Sequence, residues 1–273
     1  MKPREEPLDP AVVQLLQQVE WDAEGYLEDI VAPAWEEGLG LGPRPDDNPF
    51  WEVVADEARS GDKALRLLFS HYVFGHRRFL RFGAAEAARK AVDEVIRDVH
   101  AFLRKGESEP FWNAFVSHLA PRATKSLDQL KALVEGVLQL AFDVYRHSGE
   151  ESLLSWIVEE IQETGRLEHV YELLREIPGF GPKSLSRLLR DLVVIYGLEG
   201  RVHPVDRYLL TAVGKPIRAL APQIVPESRE RKLPDWILAG KVSKACRLAG
   251  VSAARFNMGA EYRFLEAGGE EEA

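Results

Sequence analysis

The residues best suited to chemistry lie between positions 171 and 214. Residues 171–196 read YELLREIPGFGPKSLSRLLRDLVVIY. Leu173, Leu174 and Ile177 make the apolar side of a short helix, and Leu185, Leu188, Leu189 and Leu192 that of a second, amphipathic one. Between them runs Pro178-Gly179-Phe180-Gly181-Pro182-Lys183. Glycine takes positive φ at little steric cost and lets another backbone approach. Phe180 is placed to tuck between the two helices, and Pro182 suits the first turn of the second. The amide groups around Gly179, Gly181, Lys183 and Ser184 then face outward at a helix N-terminus, which is an anion site. A DNA phosphate fits there without any base being read. The plainer reading of the same residues is a tight helix–helix turn that binds nothing.

A second element follows. Gly197-Leu198-Glu199-Gly200-Arg201 is a loop by composition, and His203-Pro204-Val205-Asp206-Arg207-Tyr208-Leu209-Leu210 opens a further helix. IPGFGPK at 177–183 followed by HPVDRYLL at 203–210 resembles the helix–hairpin–helix/Gly-Pro-Asp superfamily of DNA glycosylases, which includes the endonuclease III type and the 8-oxoguanine glycosylases. The resemblance is sharp over residues 171–214, looser from about 126, and absent over 1–110. It implies that Lys183 stands where bifunctional members carry their catalytic lysine and Asp206 where the family has its aspartate. The Lys183 amine would then attack C1′ of a damaged, flipped nucleotide and cut the strand as an AP lyase. Asp206 would assist deprotonation and stabilise positive charge on the sugar. A lysine is a nucleophile only as the free amine. The same residues also read as a phosphate contact at Lys183 and an N-cap at Asp206. Two departures stand out: Lys183 and Asp206 are 23 residues apart, longer than the endonuclease III spacing, and Tyr208 stands where histidine is common.

A flipped base needs a pocket. Phe256 and Asn257, on a C-terminal helix expected to return to the cleft, are candidates for its wall. Two other clusters, Phe69–Phe79 and Phe111–His118 with Gln129 and Gln139 beyond, read mainly as core. The seven histidines show no zinc-ligand spacing. Cys246 is the only cysteine, which excludes an intrachain disulfide and a four-cysteine iron–sulfur site. No metal and no cofactor is expected. The resemblance is therefore to the cluster-free branch, and it points to an oxidised purine such as 8-oxoguanine.

These residues must be positioned by helices. Apolar residues recur at three- and four-residue steps and strict alternation is absent, which predicts an all-α, two-lobed bundle with a cleft. Asp9-Pro10 starts one helix, and Ser126 with Gln129 fits a capping box for a long helix to about Arg146. Helices are expected around 62–81 and 84–105, and a loop over Gly38–Pro49. The expected division is an N-terminal helical region at 1–125, the hairpin core at 126–215, C-terminal helices at 216–265 and a disordered acidic tail at 266–273. The net charge is −9, yet residues 173–256 hold 15 lysines and arginines against 7 aspartates and glutamates. Basic charge thus gathers around the motifs, as a double-stranded DNA partner requires. With no signal-peptide pattern and no long apolar run, a monomeric cytoplasmic protein off the membrane is expected. The alternatives are a non-catalytic DNA-binding protein that uses the hairpin as a phosphate clamp, and a helical protein–protein module.

Overall fold

The computed structural model describes residues 7–42, 50–75, 79 and 82–269. Parts of the expected Gly38–Pro49 loop, the His76–Arg78 stretch and the acidic tail lie outside the described residues. Helices account for nearly all regular structure, and no strand occurs among the described residues. They are α1 (Pro10–Trp21), α2 (Ala23–Tyr26), α3 (Ala32–Leu39), α4 (Phe50–Glu57), α5 (Gly61–Leu67), α6 (Ala84–Val95), α7 (Val99–Lys105), α8 (Glu109–His118), α9 (Leu127–Ser148), α10 (Leu153–Thr164), α11 (Glu168–Arg175), α12 (Pro182–Ile195), α13 (Lys215–Ile224), α14 (Asp235–Ala249) and α15 (Ala253–Glu266).

Local rules explain several boundaries. Asp9 caps α1, its side chain accepting from the Ala11 N–H at 2.8 Å, and Pro10 occupies the first turn. The expected 62–81 helix is instead α5 running into a π-helical segment at Leu68–Val73. The expected 84–105 helix breaks at Ile96 and restarts at Asp98, whose carboxylate accepts from the Ala101 N–H at 3.0 Å. The long helix from 127 forms as expected, but the Ser126 hydroxyl makes no capping hydrogen bond.

Two buried apolar clusters hold the chain together. The larger draws on α2 to α12 and takes in Trp35, Phe69, Tyr72, Phe74, Phe111 and Phe142. The smaller joins α1 (Leu16, Val19) to α13 (Ile217), α14 (Leu238, Val242) and α15 (Phe256, Ala260). The first helix therefore packs with the last three. Gly259 makes this possible: a β-carbon there would lie 1.7 Å from the Val19 carbonyl oxygen. α15 runs along both clusters, giving Ala254 and Met258 to one and Phe256 and Ala260 to the other.

α12 departs from the amphipathic expectation. Every residue from Ser184 to Val194 is buried, including Arg187, Arg190 and Asp191. α15 covers its polar face and brings its own polar groups. The five N–H groups of Arg190 face Asp191 Oδ1 at 2.9 and 2.8 Å, Asn257 Oδ1 at 2.7 Å, Tyr26 Oη at 3.0 Å and Glu261 Oε2 at 3.1 Å. Tyr72 donates to Asp191 Oδ2 at 3.1 Å and accepts from Trp35 Nε1 at 2.9 Å. A buried charge is tolerable only when paired and hydrogen-bonded in this way.

Candidate functional site

The turn between α11 and α12 sets the backbone of the site. Phe180 is buried, as its place between two helices requires, and its N–H bonds the Ile177 carbonyl at 3.1 Å. The two glycines differ. Gly179 has φ +88°, where a side chain is strained. Gly181 has φ −78° and ψ 162°, open to any residue, and a β-carbon there would meet nothing within 4 Å. The protein's own packing does not require glycine at 181. Gly181 is the N-cap of α12 and has no side chain to bond the first-turn amides, which lie outside the helix's own ladder. Ser184, third in the helix, is buried.

Lys183, second in α12, is half-buried on the wall of a cleft of about 350 Å³. Tyr171, Ser186, Tyr208, Thr211, Val213, Asp235 and Trp236 share that wall. The volume is at the lower end of the range that takes small organic ligands. Trp236 is 70% exposed, a large flat apolar group left open to water at the rim. The Thr211 hydroxyl is buried and has no hydrogen-bond partner among the described residues. Burial pushes the Tyr171 and Tyr208 hydroxyls upward; at Tyr208 the charges of Glu168, Asp206 and Glu172 add to it. A larger hollow of about 470 Å³ lies among α9, α10 and α11, with Gln139 in its wall. Asp143, His147, His169 and Glu176 also line it, but it contains neither Lys183 nor the amides of the turn, so the smaller cleft is the one beside the sequence motif.

Asp206 is buried but does not line this cleft. Its Oδ2 accepts from Arg166 Nε at 2.7 Å and from the Leu167 N–H at 2.9 Å, and its Oδ1 takes Arg166 Nη2 at 3.3 Å. Leu167 is the N-cap of α11, so Asp206 caps α11 from across the fold. Burial would raise its carboxyl, but Arg166 and the backbone N–H groups of Leu167 and Glu168 outweigh that and hold it below the usual value. The further helix expected at 203–210 is only a 3-10 turn, Arg207–Leu210.

Phe256 and Asn257 are not pocket residues, contrary to expectation. Phe256 is fully buried in the smaller apolar cluster. Asn257 is fully buried in the polar network, its Oδ1 accepting from Arg190 at 2.7 Å and from the Ala212 N–H at 3.3 Å, and its Nδ2 donating to the Ala212 carbonyl at 3.3 Å. It thus clamps the segment that carries Thr211, Val213 and Gly214 along the cleft. The helix expected to return to the cleft, α15, instead buries both residues in the core.

Glu261 is buried against Arg187 and Arg190 of α12. Against the upward push of burial, Arg187 and Arg190, then the Tyr26 hydroxyl and Lys183, hold it at about 2. The sequence reading missed Glu261, Arg166, Thr211 and Trp236. Only Trp236 carried a signal, a tryptophan inside the basic stretch RKLPDWILAG. Among the described residues, no His, Cys, Asp and Glu side chains are grouped to hold a metal ion, and no helix is long and apolar enough to cross a membrane. No family model, curated protein or solved structure matches the chain.

Proposed function

We propose that this chain is a DNA glycosylase with AP lyase activity, of the helix–hairpin–helix/Gly-Pro-Asp type. The observation that carries the reading is the Lys183 side chain on a cleft of about 350 Å³, two residues beyond Gly181, the N-cap of α12. On this reading α11, the turn and α12 are the hairpin, and the two apolar clusters are the two lobes. Double-stranded DNA lies across the turn with a phosphate on the Gly181–Ser184 amides. Gly181 supports this, since a side chain there would project into open space where a phosphate must approach.

The flipped base enters the cleft and stacks on Trp236, with Thr211 and Asp235 at its polar edge. The Lys183 amine attacks C1′. The C1′–N bond of the base breaks, and the leaving nitrogen takes up a proton. The sugar then opens at its C1′–O4′ bond to give a Schiff base on Lys183. Loss of a C2′ proton expels the 3′ phosphate and cuts the strand. Asp206 acts through its charge, fixed by Arg166, and lowers the energy of the cationic sugar. An oxidised purine such as 8-oxoguanine is the proposed substrate, and the enzyme works as a monomer in the cytoplasm.

The test is borohydride trapping on duplexes carrying an abasic site or one of a panel of oxidised bases. The reading expects a covalent adduct with the wild type and none with Lys183→Gln. No adduct on any lesion overturns it. One observation favours a second reading, a non-catalytic phosphate clamp: the Asp206 carboxylate is already engaged by Arg166 and the α11 cap. That protein would bind duplex in a salt-dependent way with no preference for lesions.

A further inference from the structure

The end of the Lys183 side chain lies against Gly214, the buried residue before α13. A β-carbon built on Gly214 would be 3.1 Å from both Cε and Nζ of Lys183. Contacts that short are rarely made by real side chains, so an alanine there forces the lysine tip aside by a few tenths of an ångström. The Gly214 backbone itself does not ask for glycine: φ is −136° and ψ −165°, ordinary extended geometry. Beyond the lysine tip, the nearest atom to such a β-carbon is Pro216 Cδ at 3.6 Å, a normal contact. The absence of a side chain at 214 therefore serves the lysine and not the fold.

The seat is held rigidly. Both backbone groups of Ala212 are bonded by Asn257, which is itself bonded by the buried Arg190. The Thr211 N–H bonds the Tyr208 carbonyl at 3.1 Å. At the other end, α13 packs Ile217 and Ala221 into the smaller apolar cluster. The segment on which the amine rests is thus tied to α15 on one side and to the C-terminal core on the other.

We infer that Gly214 is the positioning residue of the Lys183 amine: its bare α-carbon, clamped through Ala212 by Asn257, sets where the nitrogen points in the cleft. The inference rests on the glycosylase reading, in which attack on C1′ needs the nitrogen in line and close. Gly214 makes and breaks no bond in this chemistry and acts only through Lys183.

Gly214→Ala is the direct test, because the added methyl presses only on a flexible side-chain tip. Gly240→Ala, on α14 next to the cleft residue Ala239 and with nothing within 4 Å of the new methyl, is the control. Three quantities are measured for each: the melting temperature, the affinity for a duplex with a non-cleavable abasic analogue, and the single-turnover rate of borohydride trapping on a duplex with a natural abasic site. Gly214→Ala is expected to melt no lower and bind no more weakly than the wild type and to trap about tenfold more slowly, with Gly240→Ala binding and trapping as the wild type does and melting slightly higher, since alanine replaces a glycine inside α14. Equal trapping rates for Gly214→Ala and the wild type overturn the inference and leave the glycosylase reading standing. A loss of melting temperature or of affinity in Gly214→Ala also overturns it, since the glycine would then serve fold or binding. Failure of the wild type to trap overturns the glycosylase reading and the inference with it.

Discussion

The Asp206 carboxylate accepts a 2.7 Å hydrogen bond from Nε of Arg166, forty residues earlier in the chain, while it caps α11 through the Leu167 N–H. One side chain therefore does two things: it closes the N-terminus of α11, and it holds a buried negative charge paired with Arg166. Substitution separates the two. Asparagine keeps an acceptor for the Leu167 N–H but loses the ion pair with Arg166, so Asp206→Asn gives up at neutral pH only the stability that the charge contributes. Asp206→Ala loses the cap and about 1 kcal/mol. On the proposed mechanism both lose about a hundredfold in single-turnover base excision, since both lose the charge. Chemical denaturation and excision kinetics on the two variants check this.

The same carboxyl sets a pH dependence. Its value is lowered in the folded state, so its contribution is present above the unfolded value and disappears as the pH falls through the folded one. Asp206→Asn has nothing to titrate there. Its stability below about pH 4 is expected to fall less steeply than that of the wild type, measured as urea midpoints between pH 5 and pH 3.

Glu261 is the larger acid-sensitive group. Held at about 2 against an ordinary 4.5, it contributes stability fully present above that ordinary value and lost on acidification towards about 2. Glu261→Gln removes the carboxylate shared by Arg187 and Arg190 and leaves buried guanidinium groups undercompensated. A loss of about 3 kcal/mol is expected, with a marked drop in melting temperature at pH 7. A variant that melts like the wild type would show that the network does not need this charge.

The two glycines of the turn between α11 and α12 should behave differently. Gly179→Ala places a β-carbon at φ +88° and is expected to lose about 1 kcal/mol of stability. Gly181→Ala has permissive angles and empty space but gives up a favourable N-cap residue, so it should lose only about 0.5 kcal/mol and, on the proposed function, bind duplex at least tenfold more weakly because its methyl meets the phosphate. Thermal melts beside duplex affinities at fixed salt decide the matter.

Trp236 is mostly exposed, so Trp236→Ala should change stability little. Stacking on a flipped base is worth about 1–3 kcal/mol, and the variant is expected to lose most of its preference for lesion-bearing over undamaged duplex. Competition binding with the two duplexes gives the ratio.

How far the sequence could be read depended on whether a signal was local. α9 was legible because Leu130, Leu133, Val134, Val137 and Leu138 recur on one face. The turn between α11 and α12 and the start of α12 were legible because proline and glycine restrict or free the backbone wherever they occur. The polar side of α12 was misread. Arg187, Arg190 and Asp191 look like solvated charges until α15 brings Asn257 and Glu261 over them, and no short-range pattern encodes that meeting. The Arg166–Asp206 pair and the Gly214 contact with Lys183 escaped for the same reason, since each depends on where two distant segments come to rest. Phe256 and Asn257 were assigned to the pocket on composition alone, and a helix one layer too deep satisfies the same composition.

The account turns on a single nitrogen. The most direct measurement is to trap the wild-type protein with borohydride on a duplex carrying 8-oxoguanine, digest the adduct and map the modified peptide by mass spectrometry. The account predicts one reduced sugar-phosphate adduct, on Lys183. An adduct on any other amine, or recovery of every Lys183 peptide unmodified while the strand is cut, would contradict it.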